Sequence, residues 1–343
     1  MNFRLVAVLG IGNLLFVSFD ITSLVPCPET LITEIPAIPG PEDSAYIVIK
    51  LIIASIEFKY INFSMIIWIA SYPKSGNTYI RSFLSAYYFS NDGNFNFELL
   101  KNIKQFPDNS LFKQLGIDTN DEEEMFKNYT NAQKIFNKKD SIRFLKTHSC
   151  FFNNKKFQFT DRHNTLGVIY IVRDPRNIVT SYAHHFQTTP EQAFENLLSQ
   201  QYLGKSSDKH CITYLGPWKQ HFDSWKVFRR SNKYLLVKYE DLINDTEKTF
   251  LNILKFIAHL GQVRFSYDKK KFENTLKTTG FERMQKLEAE ESFVEAKENT
   301  QTGEKIKFFN LGIKNDWNKM LDNKIKQNLE KELEEEMKEL KYL

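Results

Sequence analysis

Residues 66–90 read IIWIASYPKSGNTYIRSFLSAYYFS, and this stretch decides the fold class. Its first six residues, Ile66 to Ser71, form an apolar run bounded by Tyr72-Pro73 and Gly76, the pattern of a strand buried on both faces. From Asn77 to Ser90 apolar side chains recur at helical spacing, and Asn77 or Thr78 can cap the start. Strand, turn and helix in that order open a βαβ unit. The turn offers free backbone N–H groups and the positive end of a helix dipole, which is how a phosphate is cradled. Gly76 allows close approach, Lys74 adds a mobile charge, and Ser75 and Thr78 add hydroxyl donors. It is not the nucleotide-triphosphatase loop, because GxxxxGK[ST] needs a lysine directly before the Ser/Thr, where this chain has Asn77. No acidic residue after a strand marks a Mg²⁺ site, so no metal is expected.

Working outward, the same grammar recurs three times. RFLKTH (143–148) is a short strand ending in Lys146, Thr147 and His148. GVIYIVR (167–173) is a buried strand ending in Arg173, and Asp174-Pro175 then opens the helix PRNIVTSYAHHF. KYLLVKYEDL (233–242) reads as a fourth strand running into a turn, followed by the helical TEKTFLNILKFIAHL. Strands separated by helices imply an α/β fold with a parallel sheet, whose ligand crevice lies beyond the strands' carboxyl ends. Every polar cluster named here falls at that rim. Arg173 and Ser181 lie eight residues apart, so both can face it from the strand end and the second helical turn. His184 and His185, further along the helix, read as packing or surface residues, and Trp218 and Trp225, seven apart, as core.

The polar segments 97–139, 190–231 (with two helices) and 262–306 lie between these units. Residues 318–343 read as one amphipathic helix with Leu321, Ile325, Leu329, Leu333, Met337 and Leu340 along one stripe. That helix is expected to pack on the domain, with a homodimer seam as the alternative.

The 343 residues suffice for one large domain or two modest ones, and 42% hydrophobic with 26% charged residues exclude a disordered, collagenous or polytopic membrane chain. Three cysteines, Cys27, Cys150 and Cys211, are too few and scattered for a disulfide framework or metal cluster, which suggests reducing conditions. Before Met65 stand three basic and six acidic residues, so the net +4 conceals a body with 43 basic against 36 acidic. That excess suits a protein handling a polyanion but falls far short of a nucleic-acid-coating chain. Residues 5–19 form an apolar run too short for a membrane span and closer to a signal-peptide core, without a clean cleavage site. A proline-rich stretch and a second apolar run follow. The readings are a signal or anchor, a strand-bearing extension, or sequence outside the functional protein, with Met65 an alternative start. We favour the last, which divides the chain into an extension, 1–64, and a functional domain, 65–343, and expects a cytoplasmic protein. Export or membrane contact would follow only if residues 5–19 act as a signal or anchor.

Together PKSGNT followed by an aromatic, KTH on the next strand, and IVRDPRN with SYAHH on the third resemble the sulfotransferases that use 3′-phosphoadenosine 5′-phosphosulfate (PAPS). The resemblance runs from about Met65 to the C-terminus. It implies a three-layer, P-loop-like α/β fold with a central parallel sheet flanked by helices, and sulfonate transfer to a hydroxyl or amine. It also implies that Lys74, Ser75, Gly76, Asn77 and Thr78 form the 5′-phosphosulfate loop, with Lys74 neutralising the bridging oxygen as the S–O bond breaks. Tyr79 stands where the family has a tryptophan stacking on adenine, and Tyr239 matches a tyrosine near the adenine edge. Arg173 and Ser181 match the 3′-phosphate pair, His148 the general base, and Lys146 its neighbour at the sulfonate. Gly312 matches the glycine of the family's Arg-Lys-Gly, but the two cations before it are here Asn310 and Leu311. Backbone N–H groups at Leu311 and Gly312 then remain, with Lys305, Lys307 and Lys314 as nearby cations.

The chemistry suits these residues independently of that resemblance. Sulfonyl transfer needs an in-line acceptor, a base, and cations where negative charge develops. Histidine supplies the base, the lysines supply charge without a metal, and Arg173 can meet a phosphate with two prongs. The expected partner is a small-molecule, glycan or lipid acceptor, with no nucleic acid. The rival readings are a metal-dependent, kinase-like enzyme and a non-catalytic nucleotide-binding module.

Overall fold

The computed structural model describes residues 3–5, 19–21, 66–136, 142–152, 157–200, 202–203, 211–291, 293, 295–299 and 302–343. The chain divides into two units, Met1–Tyr60 and Ile61–Leu343. In the first, the strands Phe3–Leu5 and Phe19–Ile21 pair antiparallel. The apolar run between Leu5 and Phe19, the proline-rich stretch, the second apolar run and Met65 lie outside the described residues.

In the second unit four strands form one parallel sheet. They are β1 (Ile66–Ser71), β2 (Arg143–Thr147), β3 (Thr165–Val172) and β4 (Tyr234–Lys238), in the spatial order β2-β1-β3-β4. Trp68 of β1 stands opposite Leu145 of β2 and Val168 of β3, while Ile169 of β3 faces Leu235 of β4. Because side chains alternate along a strand, β1 feeds two cores at once. Ile66, Trp68 and Ala70 join one cluster, and Ile67 and Ile69 join the other, all fully buried. The indole of Trp68 donates to Thr165 Oγ1 at 2.9 Å, which satisfies the ring's polar edge inside the core.

Helices α1 (Asn77–Phe89) and α5 (Thr246–Leu260) cover the Ile67/Ile69 face, where Phe83 stacks on Phe250 with centroids 3.9 Å apart. The other face carries α2 (Pro175–Phe186), α3 (Pro190–Leu198) and α4 (Trp218–Trp225). Trp218 and Trp225 are fully buried there, as their spacing implies. The result is the α/β architecture expected of the sequence, a central parallel sheet between helical layers.

Two expectations change. The turn expected after the fourth strand is a short helix, Tyr239–Asn244, beginning directly after Lys238, and its first turn gains from Glu240 and Asp241 at the positive pole of its dipole. Residues 318–343 are not one helix but three pieces, Trp317–Met320, Asn323–Glu332 and Glu334–Glu339. Asp322 starts the middle piece by accepting from the backbone N–H of Lys324 at 2.7 Å, and Leu321 adopts extended backbone. The apolar stripe survives the break: Leu321, Ile325, Leu329, Leu333, Met337 and Leu340 are all buried in the domain's own core. Among the described residues no helix is long and apolar enough to cross a membrane.

Candidate functional site

The rim beyond the carboxyl ends of β1, β2 and β3 encloses a cavity of about 700 Å³. Lys74, Lys146, His148 and Arg173 reach it from three neighbouring strands, and Ser181 and Tyr239 from the following helices. Gly76, Asn77, Thr78, Tyr79 and Gly312 also line it, whereas Ser75 lies buried behind the loop surface.

The loop after β1 is held by backbone geometry that only certain residues tolerate. Lys74 sits at φ 66° and Gly76 at φ 103°, both left-handed. A Cβ on Gly76 would lie 2.7 Å from Cδ2 of Tyr239, so the loop needs glycine for close approach as well as for conformation. Gly76→Ala is expected to cost about 1–3 kcal/mol of stability and to weaken binding of any anion in the loop at least in proportion. Denaturant midpoints and nucleotide titration check this. Gly312, at φ 54°, is equally constrained, since a Cβ there would meet the Phe281 ring at 2.5 Å.

The loop's hydroxyl and amide groups divide into two kinds. Asn77 Nδ2 donates to the Ile69 carbonyl at 3.0 Å and to Ser71 Oγ at 3.1 Å, so this amide fastens the loop to its own strand rather than reaching outward. Thr78 Oγ1 donates to Glu295 Oε2 at 3.0 Å. Ser75 Oγ and Arg173 Nε, by contrast, are buried without a hydrogen-bond partner. Buried donors of that kind are costly, and the oxygens of a bound anion would satisfy them. Arg173 Nη1 donates to the Lys74 carbonyl at 3.1 Å, and its guanidinium lies 4.2 Å from the Tyr239 ring centre. The arginine thus ties the loop to the sheet while its remaining donors stay available.

Lys74 Nζ lies 4.1 Å from the centre of the Phe308 ring. Burial, helped by the charges of Arg173 and Lys146, pulls its pKa down to about 7. Lys146 Nζ donates to Glu295 Oε1 at 3.0 Å. Burial lowers the Lys146 pKa, while Glu295 opposes the shift. The Glu295 carboxylate also pairs with Arg81 and is held well below the usual range by Lys146 and Arg81 against the cost of burial. Arg81 is fixed in turn by the Ile103 carbonyl at 2.9 Å.

His148 stands one residue past β2, its Nδ1 2.8 Å from the Ser71 carbonyl. A carbonyl only accepts, so Nδ1 carries the proton and Nε2 keeps its lone pair. Burial first and Lys146 second push its pKa down to about 3. The ring is therefore neutral across the ordinary pH range.

Tyr79 lines the cavity with its ring edge-to-face against Phe250 at 5.2 Å. His184 and His185, expected as packing or surface residues, both stand on the cavity wall. His185 is buried, its ring edge-to-face with Phe308 at 5.6 Å. Lys305, Lys307 and Lys314 are not among the lining residues. Lys297 does line the cavity, with Nζ 3.9 Å from the Phe186 ring centre. Sequence reasoning missed Lys297, Glu295 and Arg81. The first two are single charges in a polar stretch with several others, and nothing local distinguishes them. Arg81 carried a faint signal, a charge among apolar helix residues between Ile80 and Phe83. Among the described residues no group of three or more His, Cys, Asp or Glu side chains could hold a metal ion.

The family described as "Sulfotransferase domain" matches residues 65–341. Sulfotransferase 1 family member D1 of Mus musculus is 26% identical over 202 residues, 56% of this chain and 58% of the relative. Thus the chain spans less than two thirds of that relative's length. Flavonol 3-sulfotransferase of Flaveria bidentis is 23% identical over 281 residues, 79% of this chain and 81% of the relative. Among solved structures, a mouse sulfotransferase complexed with PAP is 17% identical, covering 79% of this chain and 83% of that one with a TM-score of 0.48. With residues 65–341 matched to its domain, the chain belongs to the sulfotransferase family.

Proposed function

We propose that residues 65–343 transfer the sulfonyl group of PAPS to the hydroxyl or amine of a small-molecule acceptor, with His148 as the general base. One observation carries this reading: Lys74, Lys146 and Arg173 converge with a neutral, Nδ1-protonated His148 on a single cavity. The donor fits that cavity's chemistry. Arg173 Nε is buried and unpartnered, Ser181 stands on the wall, and Lys297 adds a further cation to the lining.

In the reaction the acceptor oxygen or nitrogen forms a bond to sulfur as the bond from sulfur to the bridging phosphate oxygen breaks. The acceptor's proton passes to Nε2 of His148, and 3′-phosphoadenosine 5′-phosphate (PAP) leaves with the bond's electrons. Lys74 meets the charge that develops on the bridging oxygen, and Lys146 meets the sulfonyl oxygens. Two relatives are named for hydroxyl-bearing acceptors, a flavonol and a 3-beta-hydroxysteroid, which favours a hydroxyl acceptor here.

The test is transfer of ³⁵S from labelled PAPS to pooled phenols, sterols, sugars and amines, with and without chelator. Labelled product without added metal is the expected result. A strict metal requirement would point instead to kinase-type chemistry. Tight PAP binding with no transfer to any pool would leave a nucleotide-binding module.

A further inference from the structure

Helix α4 contributes no residue to the cavity wall, yet one face of it is spent on the four residues that follow β2. His221 Nε2 lies 3.1 Å from the His148 carbonyl, and Trp225 Nε1 donates to the Ser149 carbonyl at 3.1 Å. Ser224 Oγ accepts from the backbone N–H of Phe151 at 3.1 Å. Positions 221, 224 and 225 share one helical face, so a single turn of α4 grips three backbone groups of the segment that presents His148.

His221 differs from the other two in being fixed from behind. It is fully buried, and its Nδ1 lies 2.7 Å from the hydroxyl of Tyr170, itself buried in the central strand β3. Because the His148 carbonyl only accepts, Nε2 of His221 holds the proton. Nδ1 therefore accepts from the phenol. One continuous set of hydrogen bonds runs from Tyr170 through His221 to the His148 main chain, and from the His148 ring to Ser71 on β1. The backbone and the ring of His148 are anchored separately, which leaves Nε2 as the ring nitrogen open to the cavity. Burial keeps the His221 imidazole neutral, its pKa near 3, so it acts as a fixed donor and not as a proton carrier.

We propose that His221, locked in its Nε2–H tautomer by Tyr170, is a positioning residue that sets the place of His148 through its carbonyl. This rests on the reading of His148 as the base. A base displaced by about 1 Å can lose on the order of 10²-fold in rate; His221 lines no part of the cavity, and its contact with the loop after β1 is an edge-to-face ring contact with Tyr72 at 5.6 Å, ahead of Lys74 to Thr78. The expected signature is therefore a loss in kcat with donor binding intact.

The experiment compares wild type with His221→Leu, His221→Gln and Tyr170→Phe in the full chain, by PAP calorimetry, by PAPS-dependent transfer to 2-naphthol and the pooled acceptors, and by NMR of labelled histidine. His221→Leu should keep the PAP Kd within about twofold and the acceptor KM little changed while kcat falls about 10²-fold. Glutamine, which can place an N–H near the lost Nε2, should restore most of that loss. The His148 resonances should report a single Nδ1–H tautomer in wild type and lose that uniformity in His221→Leu. Wild-type kcat with unchanged His148 resonances in His221→Leu would overturn the proposal, as would a parallel loss of PAP binding or failure of glutamine to rescue. If the leucine variant does not fold, Tyr170→Phe decides, because without the phenol the His221 ring can turn its proton away. Wild-type kcat there overturns the proposal. If no acceptor is turned over, the imidazole resonances decide alone. A His148→Ala enzyme as fast as wild type would instead sink the reading of the base.

Discussion

His148→Ala should lower kcat for sulfonyl transfer by about 10²- to 10⁴-fold while PAP still binds. The separation follows from geometry. His148 makes its ring contact to the Ser71 carbonyl, whereas the anion-facing donors belong to the loop after β1 and to Arg173. Removing the ring would thus delete the proposed proton acceptor and leave the proposed phosphate contacts in place. The low pKa of the free imidazole, about 3, sharpens the expectation. Lys146 is one cause of that depression, and the negative donor brought beside it opposes Lys146, so the base strengthens when the donor is bound. The rate should therefore show no acid limb at the usual histidine value near 6.5 for the free enzyme. The pH dependence of kcat/KM, which reports the free enzyme, and of kcat, with labelled PAPS across pH 5 to 9, reads both effects. An unimpaired alanine variant would move the role to another wall histidine, of which His185 is buried with an unpartnered Nδ1.

The parts of the site written in one stretch of chain were legible, and those assembled across the fold were not. Lys74, His148 and Arg173 each follow an apolar run ending at a turn, and parallel-sheet topology alone brings such positions to one rim. Asn77 lies in the same loop, but its role needed coordinates: its amide nitrogen is taken up by Ile69 and Ser71, which no sequence pattern reveals. Glu295 meets Arg81 across 214 residues and Lys146 across 149, so neither partner implies the other locally. The C-terminal stripe shows the converse. Periodicity correctly assigned six buried positions but could not register the interruption at Leu321 and Asp322, because a capping aspartate can restart a helix without disturbing the apolar spacing.

Affinity for PAP should be greatest below pH 7 and should fall above it by up to about tenfold per pH unit, until the pKa of Lys74 in the complex is reached. The sign follows from the groups that face this lysine. In the free protein burial, Arg173 and Lys146 bring it down to about 7, Glu295 and Glu288 push the other way, and His185 stands nearby as a neutral ring. A bound phosphate reverses the balance, since a negative charge favours the ammonium and raises the pKa. Binding above pH 7 must then take up a proton, and affinity declines as that proton becomes scarcer. The nucleotide's own phosphate, with a second pKa near 6, is already ionised in this range and adds no slope of its own. Calorimetry at pH 7, 8 and 9, in buffers of different ionisation enthalpy, reads the proton directly. Lys74→Arg, charged throughout, should flatten the dependence, and Lys74→Met should show the weaker affinity at every pH. A wild-type affinity that stays flat from pH 7 to 9 would mean that the bound phosphate does not sense Lys74. Slope that persists in Lys74→Arg would belong to Lys146 or Lys297, cavity-lining amines whose pKa burial also lowers.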